Sequence, residues 1–565
     1  MSFLLHLFFF IIEISSNNCP EHCLFCGNSY GCYECEPGYD QIKTEYPIIC
    51  SKSIANENSN ETEIKKEINI DKQAKLQEII SKLVEENKRL HTENIELKHH
   101  SEKVNKPSQN SILPESYLLL AIDALHGNKK ERSYENAIQL LKQSSNNGNG
   151  ISSYLIGILY ESGDGIDQDF QEAIKYYEKA TEQGNSYGIN RIGYCYQNGY
   201  GVEVNNEKAI EYFQRGAELN NPFSLNNIGY IYDNGLGVKQ NLALSREYYR
   251  KSADLGHPDA MFNLGLTYEY NQGSEKDMNK ALELYEKAGE LGSSEAYIHI
   301  GLLFNKGIEV KQDFNKANEN FQKALNIDSL HALVYLAQNY EDGNGFTQDI
   351  NKAIELYEKA GKLGSSFAIY KIGLLYYEGK KIQQNYDIAN EYFIKSADLG
   401  FAPAYYILGY NYANGKGFKQ DVNKANEFYQ EAADLGYRDA IYTLGINYAY
   451  SNGFKQDYKL ALELFEKAAD LGSADALNQI GILYSNGHGV EQDYNKANEY
   501  FRKAADLGLP AAFYNLGNAY VYGTGFERDY NKAIELLKKA AELGYLDAKQ
   551  QLDFLNNKEN QDDEL

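Results

Sequence analysis

The chain has no tryptophan, three methionines and nine prolines in 565 residues. Its aromatic content comes from 49 tyrosines and 24 phenylalanines instead. With so few prolines, 47 glycines are left to make the turns. Basic residues are also short: 55 Lys and Arg stand against 80 Asp and Glu, a formal charge of −25. The acid excess is spread thinly, and such a field repels phosphate, which argues against nucleic acid as a partner. After the extreme N-terminus there is no run of about 20 apolar residues, so no transmembrane helix is expected in the mature chain. Hydrophobic residues nevertheless reach 43%, enough to bury a core. The chain is about four times the length of an ordinary domain, so one compact core is not expected.

Catalytic and ligand constellations are missing too. Pairs such as Gly163-Asp164-Gly165 and Gly199-Tyr200-Gly201 are not followed by Lys-Ser or Lys-Thr. No strand pattern precedes them, so they read as turn glycines rather than phosphate loops. No Ser-His-Asp, zinc or paired-carboxylate arrangement is visible, so no catalytic residue, metal site or cofactor is expected, and the chain reads as a non-enzyme. His299 and His488 stand alone and read as surface or loop residues. Cys195, the odd seventh cysteine, reads as a small buried hydrophobe within a helix.

The N-terminal segments set an expected compartment. Residues Phe3 to Ile12 read FLLHLFFFII, too short to cross a bilayer but right for the apolar stretch of a signal peptide over residues 1–16. A cysteine-rich module follows over 17–50, with Cys19, Cys23, Cys26, Cys32, Cys35 and Cys50. Six cysteines behind a signal peptide read as a disulfide framework, and sequence leaves its 15 pairings open. Two CxxC pairs also suit a tetrahedral zinc site or a redox pair. The spacing resembles the cysteine-rich modules of furin-like and growth-factor-receptor type, which are mostly structural or contact modules. A polar linker over 51–72 holds the sequon Asn60-Glu61-Thr62, a glycosylation acceptor. Residues 73–100 then carry Leu76, Leu83, Leu90 and Leu97 at one heptad position and Ile80, Asn87 and Asn94 at another. Asn at that core position favours a parallel two-stranded register, so a homodimer through residues 76–97 is expected, the alternative being a single solvated helix. Pro107 and Pro114 mark a linker over 101–115.

Residues 116–556 are one repeat copied without a gap. Gly157, Gly193, Gly229, Gly265, Gly301, Gly373, Gly409, Gly445, Gly481 and Gly517 share one 36-residue phase, with Ala337 in the missing slot. Ala173, Ala209, Ala281 and their successors to Ala533 hold a second phase. Strict register over so many copies identifies a solenoid. In the unit from Ala474 to Gly508, Leu477, Ile480, Leu483 and Tyr484 predict a helix over 476–486. Gly487-His488-Gly489 ends it, Asp493 is an N-cap, and a second helix over 494–507 stops at Gly508. Gly481 lies inside the first helix, where glycine costs about 1 kcal/mol relative to alanine. Its recurrence implies close approach of the second helix at the Ala phase. The aromatic series Tyr160, Tyr196, Tyr232, Tyr268, Phe304, Tyr340, Tyr376, Tyr412, Tyr448, Tyr484 and Tyr520 reads as a packed core seam.

The unit pattern "A…LG.LY..G.GV.QDY.KA.EYF.KAADLG" resembles the Sel-1-like repeat, a relative of the tetratricopeptide repeat. The resemblance implies an all-α fold, a right-handed α/α superhelical solenoid of about 12 tandem 36-residue helix-turn-helix repeats with a concave face. It also implies an adaptor function. The best-known eukaryotic members sit in the endoplasmic reticulum lumen and recruit misfolded glycoproteins to a membrane ubiquitin ligase for ER-associated degradation. Partners implied are therefore ER clients, chaperones or ligase components.

Function is sought where the repeats disagree. One first-helix phase reads Leu155, Arg191, Asn227, Asn263, His299, Tyr335, Lys371, Ile407, Thr443, Gln479 and Asn515. Side chains that vary this much at a fixed phase are expected to face outward or line the groove as a binding face. The acidic tail over 557–565 ends Asp562-Asp563-Glu564-Leu565, which matches an ER-retrieval signal with Asp in its first position. Residence in the ER lumen is the expectation, and a secreted or cell-surface binding protein the alternative.

Overall fold

The computed structural model describes residues 23–27, 31–35, 118, 121, 134–271, 275–327 and 329–562. Cys19, Cys50, Asn60, Asn87, Asn94, Asp563, Glu564 and Leu565 lie outside the described residues, as do the side chains of Cys23, Cys26, Cys32, Cys35 and Asp562. In the cysteine-rich segment, strands β1 (Cys23–Gly27) and β2 (Gly31–Cys35) pair into a two-stranded sheet.

The helices form two compact units, one ending at Asp349 and one beginning at Ile350. The first contains α1 (Tyr134–Asn146), α2 (Gly150–Ser162), α3 (Phe170–Glu182), α4 (Ser186–Asn198), α5 (Asn206–Glu218), α6 (Pro222–Asn234), α7 (Leu242–Asp254), α8 (Pro258–Glu269), α9 (Met278–Glu290), α10 (Ser294–Lys306), α11 (Phe314–Asn326) and α12 (Leu330–Asp342). The second contains α13 (Ile350–Lys362), α14 (Ser366–Glu378), α15 (Tyr386–Asp398), α16 (Ala402–Asn414), α17 (Val422–Asp434), α18 (Arg438–Tyr450), α19 (Tyr458–Asp470), α20 (Ala474–Asn486), α21 (Tyr494–Asp506), α22 (Pro510–Tyr522), α23 (Tyr530–Glu542) and α24 (Leu546–Asp562). Within each unit every helix packs on its sequence neighbours. The last helix runs six residues past the expected repeat boundary at 556.

The repeat motif explains itself in the unit α20–α21. Asp493 caps α21, its Oδ1 accepting from the N–H groups of Asn495 (2.9 Å) and Lys496 (3.0 Å). Gln492 donates back to the Ser485 carbonyl at 2.7 Å, and the Asp493 N–H donates to the Tyr484 carbonyl at 3.0 Å. The Gln-Asp pair thus pins the loop with one side chain and starts the next helix with the other. Gln168 to Glu161 O (2.8 Å) and Gln456 to Ala449 O (2.8 Å) repeat the latch. The loop needs left-handed backbone at Gly487 (φ +69°) and Gly489 (φ +75°). A Cβ on Gly489 would also sit 2.9 Å from the Tyr458 carbonyl carbon.

The core seam corrects two expectations. The helix-interior glycines face an aromatic ring on the second helix, four residues beyond the Ala phase. A Cβ on Gly193 would lie 2.7 Å from the Phe213 ring, and one on Gly445 would lie 2.6 Å from Phe465. The ring slot holds Tyr177, Phe213, Tyr249, Tyr285 and Phe321 in the first unit and Tyr357, Phe393, Tyr429, Phe465, Phe501 and Leu537 in the second, all buried. The alanines are buried as well, but they allow backbone approach rather than fill the glycine notch. The second correction concerns the Tyr160 series. Apart from buried Tyr484, its members are half-buried. Several stack on second-helix rings at the rim, as in Tyr196–Tyr212 (5.6 Å, 11°) and Tyr484–Tyr500 (5.9 Å, 5°), with lysines over their outer faces, and others on loop rings, as in Tyr448–Phe454 (4.2 Å, 6°).

Candidate interaction face and the polar rungs

The variable first-helix phase does not form an open face. Arg191, Asn227 and Tyr335 are buried, while Asn263, His299, Lys371, Ile407, Gln479 and Asn515 are half-buried. The reason is that several of these side chains bond to the preceding repeat. Asn227 Nδ2 donates to Asn190 Oδ1 (2.9 Å), Asn263 Nδ2 to Asn226 Oδ1 (3.1 Å), and Asn515 Nδ2 to Asn478 Oδ1 (2.8 Å). Variation at this phase records how each pair of repeats is joined. His299, expected on the surface, has a side chain only 15% exposed. His488 does lie in an exposed loop, stacked on Tyr458 (4.5 Å, 21°). Cys195 is fully buried in α4, which pushes its thiol up to about 12.

Two rungs that join an acid to a basic side chain stand out. At the end of α2, Glu161 accepts from the Tyr177 hydroxyl of α3 and pairs with the Arg191 guanidinium of α4. At the end of α8, Glu269 Oε2 accepts from the Tyr285 hydroxyl (2.7 Å) and from His299 Nε2–H (2.7 Å). Burial pushes the Glu269 carboxyl up, but the His299 and Tyr285 hydrogen bonds outweigh it and hold the group below its ordinary range. The two rungs share one register: the acid, a tyrosine 16 residues on, and a basic side chain 30 residues on. Glu341, Tyr357 and Lys371 repeat that spacing in the sequence. Where the acid slot holds Gln197, Asn305, Ala449 or Ser485, the ring slot holds Phe213, Phe321, Phe465 or Phe501, with Ala413 before Tyr429 as an exception. A buried tyrosine hydroxyl needs an acceptor, and a buried carboxylate needs donors. That spacing of 16 and 30 is the signal by which sequence reading could have found the rungs.

One rung is incomplete. Asp233 occupies the acid slot before Tyr249, but the basic slot holds Asn263, whose amide goes to Asn226. Burial without a counter-charge pushes the Asp233 carboxyl up to about 6.

A second first-helix phase, three residues on from that of Arg191, holds Tyr194 and Tyr230, half-buried, and Tyr410, 39% exposed. Arg191 lies 4.6 Å from the Tyr194 ring centroid and Lys416 lies 4.9 Å from that of Tyr410. The groups still available to a partner are therefore tyrosine rings, rim lysines and loop tips. Among the described residues no group of three or more His, Cys, Asp or Glu side chains is placed to hold a metal ion. Also among them, no helix is long and apolar enough to cross a membrane.

No curated protein matches the chain. Solved structures do. A protective antigen of uropathogenic Escherichia coli strains, c5321, described as displaying an SLR fold, is 28% identical over 74% of this chain and 90% of its own, with a TM-score of 0.42. A Sel1 repeat protein from Oxalobacter formigenes is 29% identical over 55% of this chain and 90% of its own, with a TM-score of 0.44. The Sel1 repeat itself matches twelve successive stretches, from residues 114–149 through 510–545. With most of its length built from that unit, the chain belongs to the Sel1 repeat family.

Proposed function

We propose that this protein is a non-enzymatic interaction scaffold of the endoplasmic reticulum lumen that brings misfolded clients or ubiquitin-ligase components together for ER-associated degradation. Sel1 repeat proteins generally act as protein-interaction scaffolds. The observation that carries the proposal is the array itself. Nine of the twelve repeats set a helix-interior glycine against a buried ring while their rims and loop tips change from copy to copy. Each repeat contacts its neighbours, so such an array offers an extended surface rather than a pocket. The location rests on sequence alone, the apolar stretch Phe3–Ile12 together with Asp562-Asp563-Glu564-Leu565.

The test is affinity purification of the tagged chain from gently solubilised cells, with residues 562–565 intact or deleted, read by mass spectrometry and glycosidase sensitivity. Recovery of a membrane ubiquitin ligase and lumenal chaperones, with secretion on deletion, is the expected result. An intact chain found in the medium or at the cell surface, with no ER partner, would replace this reading with that of an extracellular binding protein.

A further inference from the structure

Lys416 stands between Gly415 (φ +68°) and Gly417 (φ +69°) in the loop joining α16 to α17. Its ammonium lies 4.9 Å from the Tyr377 ring centroid, 4.9 Å from Tyr410 and 5.7 Å from Tyr386. Tyr377 comes from α14, Tyr386 opens α15 and Tyr410 lies in α16, so three elements converge on one charge. Each of the other lysines seen over a ring among the described residues meets one ring. Tyr377 and Tyr386 meet edge to face (5.3 Å, 67°), which sets two walls at an angle.

The walls and the loop backbone are held independently of the Lys416 side chain. Asn390 Nδ2 donates to the Lys416 carbonyl at 2.9 Å, and Asn390 Oδ1 accepts from Asn411 Nδ2 at 2.7 Å. The Lys416 N–H donates to the Asn411 carbonyl at 2.9 Å. Only the four-carbon stem is left free to swing. The ammonium makes one protein hydrogen bond, to Tyr377 Oη at 2.8 Å, which pushes its pKa up, and its other N–H donors face solvent. No carboxylate pairs with it among the described residues. A ring-walled, carboxylate-free cage suits a cation that has no N–H groups to satisfy, because the rings attract charge and ask for no hydrogen bonds.

We propose that Tyr377, Tyr386 and Tyr410 form a binding site for the trimethylated lysine side chain of a partner protein, with Lys416 as a resident plug. The stem that already reaches the cage is a lysine stem, so a partner's trimethyllysine has the right length and an apolar shaft. A choline head group carries a phosphate beside its ammonium, which a chain of net charge −25 disfavours. The inference rests on the interaction-scaffold reading but not on the compartment. Binding to purified chain is measured separately from recovery of cellular partners, so either can fail alone.

The experiment uses the purified full chain and a fluorescent peptide carrying one trimethyllysine, with the same peptide unmethylated as control, read by anisotropy. A plug lowers apparent affinity by the fraction of time the cage is closed, so Lys416→Ala is expected to tighten the trimethyllysine peptide about tenfold. The unmethylated peptide should bind more weakly than the trimethylated one, and Tyr410→Ala in the Lys416→Ala background should abolish the gain. Lys416→Gln serves as a second unplugged variant, and circular dichroism confirms that each variant folds. No binding to either folded, unplugged variant overturns the proposal, as does binding that survives Tyr410→Ala. Phosphocholine displacing the peptide more strongly than free trimethyllysine does would overturn the protein partner and assign the cage to a lipid head group.

Discussion

A Cβ placed on Gly481 would lie 2.5 Å from Phe501 Cε1 and 2.6 Å from Cδ1, so the glycine in α20 is a notch cut for a ring of α21. The relationship shows why a poor helix former recurs in the middle of a helix. The helix cost of about 1 kcal/mol per glycine is offset by burying a whole aromatic side chain, worth roughly 1.5–3 kcal/mol. Gly481→Ala should therefore destabilise, against its helix propensity, by about 1–3 kcal/mol through overpacking. Hydrogen exchange across residues 474–509 reads the effect locally, which matters because an array of repeats need not unfold in one step. In a Phe501→Ala background the same substitution should be neutral or stabilising. An equal cost in both backgrounds would separate the glycine from the ring.

Removal of one partner from the first charged rung should cost more than removal of both. Arg191→Met strands Glu161 in a buried site against Tyr177, with an expected loss of about 3–5 kcal/mol. Adding Glu161→Gln should recover at least half of that, measured by denaturant unfolding or exchange in α2–α4.

Asp233 supplies a pH dependence of unusual sign. Its carboxyl titrates at about 6 when folded, against a reference of 3.8, so the folded state holds more protons between those values. Stability from this group is present below about pH 4 and is lost as pH rises through 6. Asp233→Asn should be more stable than the parent at pH 7, by at most about 3 kcal/mol for a two-unit shift. Thermal melts at pH 7 and pH 4 check this, with the advantage shrinking toward zero at the lower pH.

Ser451 takes the slot that glycine fills after most first helices, and it adopts φ +64° there. The left-handed region costs a side-chain-bearing residue about 1–2 kcal/mol, partly returned as chain entropy when glycine replaces it. Ser451→Gly should raise stability by roughly 0.5–1 kcal/mol. A melting temperature unchanged or lowered would contradict the strain argument.

Much of the unit was legible in sequence. The expected first helix over 476–486 is found over Ala474–Asn486, and the expected second helix over 494–507 ends at Asp506, with Asp493 as its cap. Caps and left-handed glycines are local signals, confined to a few adjacent residues. The ring partner was hidden because its slot alternates among Tyr, Phe and Leu537, so no single letter shows the period. The Tyr160 series was conspicuous because it repeats one letter, and it proved to be rim. The rungs were overlooked for a different reason. Glu161 and Arg191 look like two unrelated variations until the 30 residues between them fold into one helical step.

The two kinds of join differ in what they permit over generations. Glycine against ring is the same nearly everywhere, so excising 36 residues, such as 186–221, would leave that seam closed. The same excision would bring Asn227 to the place of Arg191, leaving Glu161 buried without a counter-ion. Copies that look interchangeable in outline are therefore numbered by their polar pairs. Loss of a repeat next to such a rung strands a buried acid, whereas loss of one joined by glycine and ring alone does not.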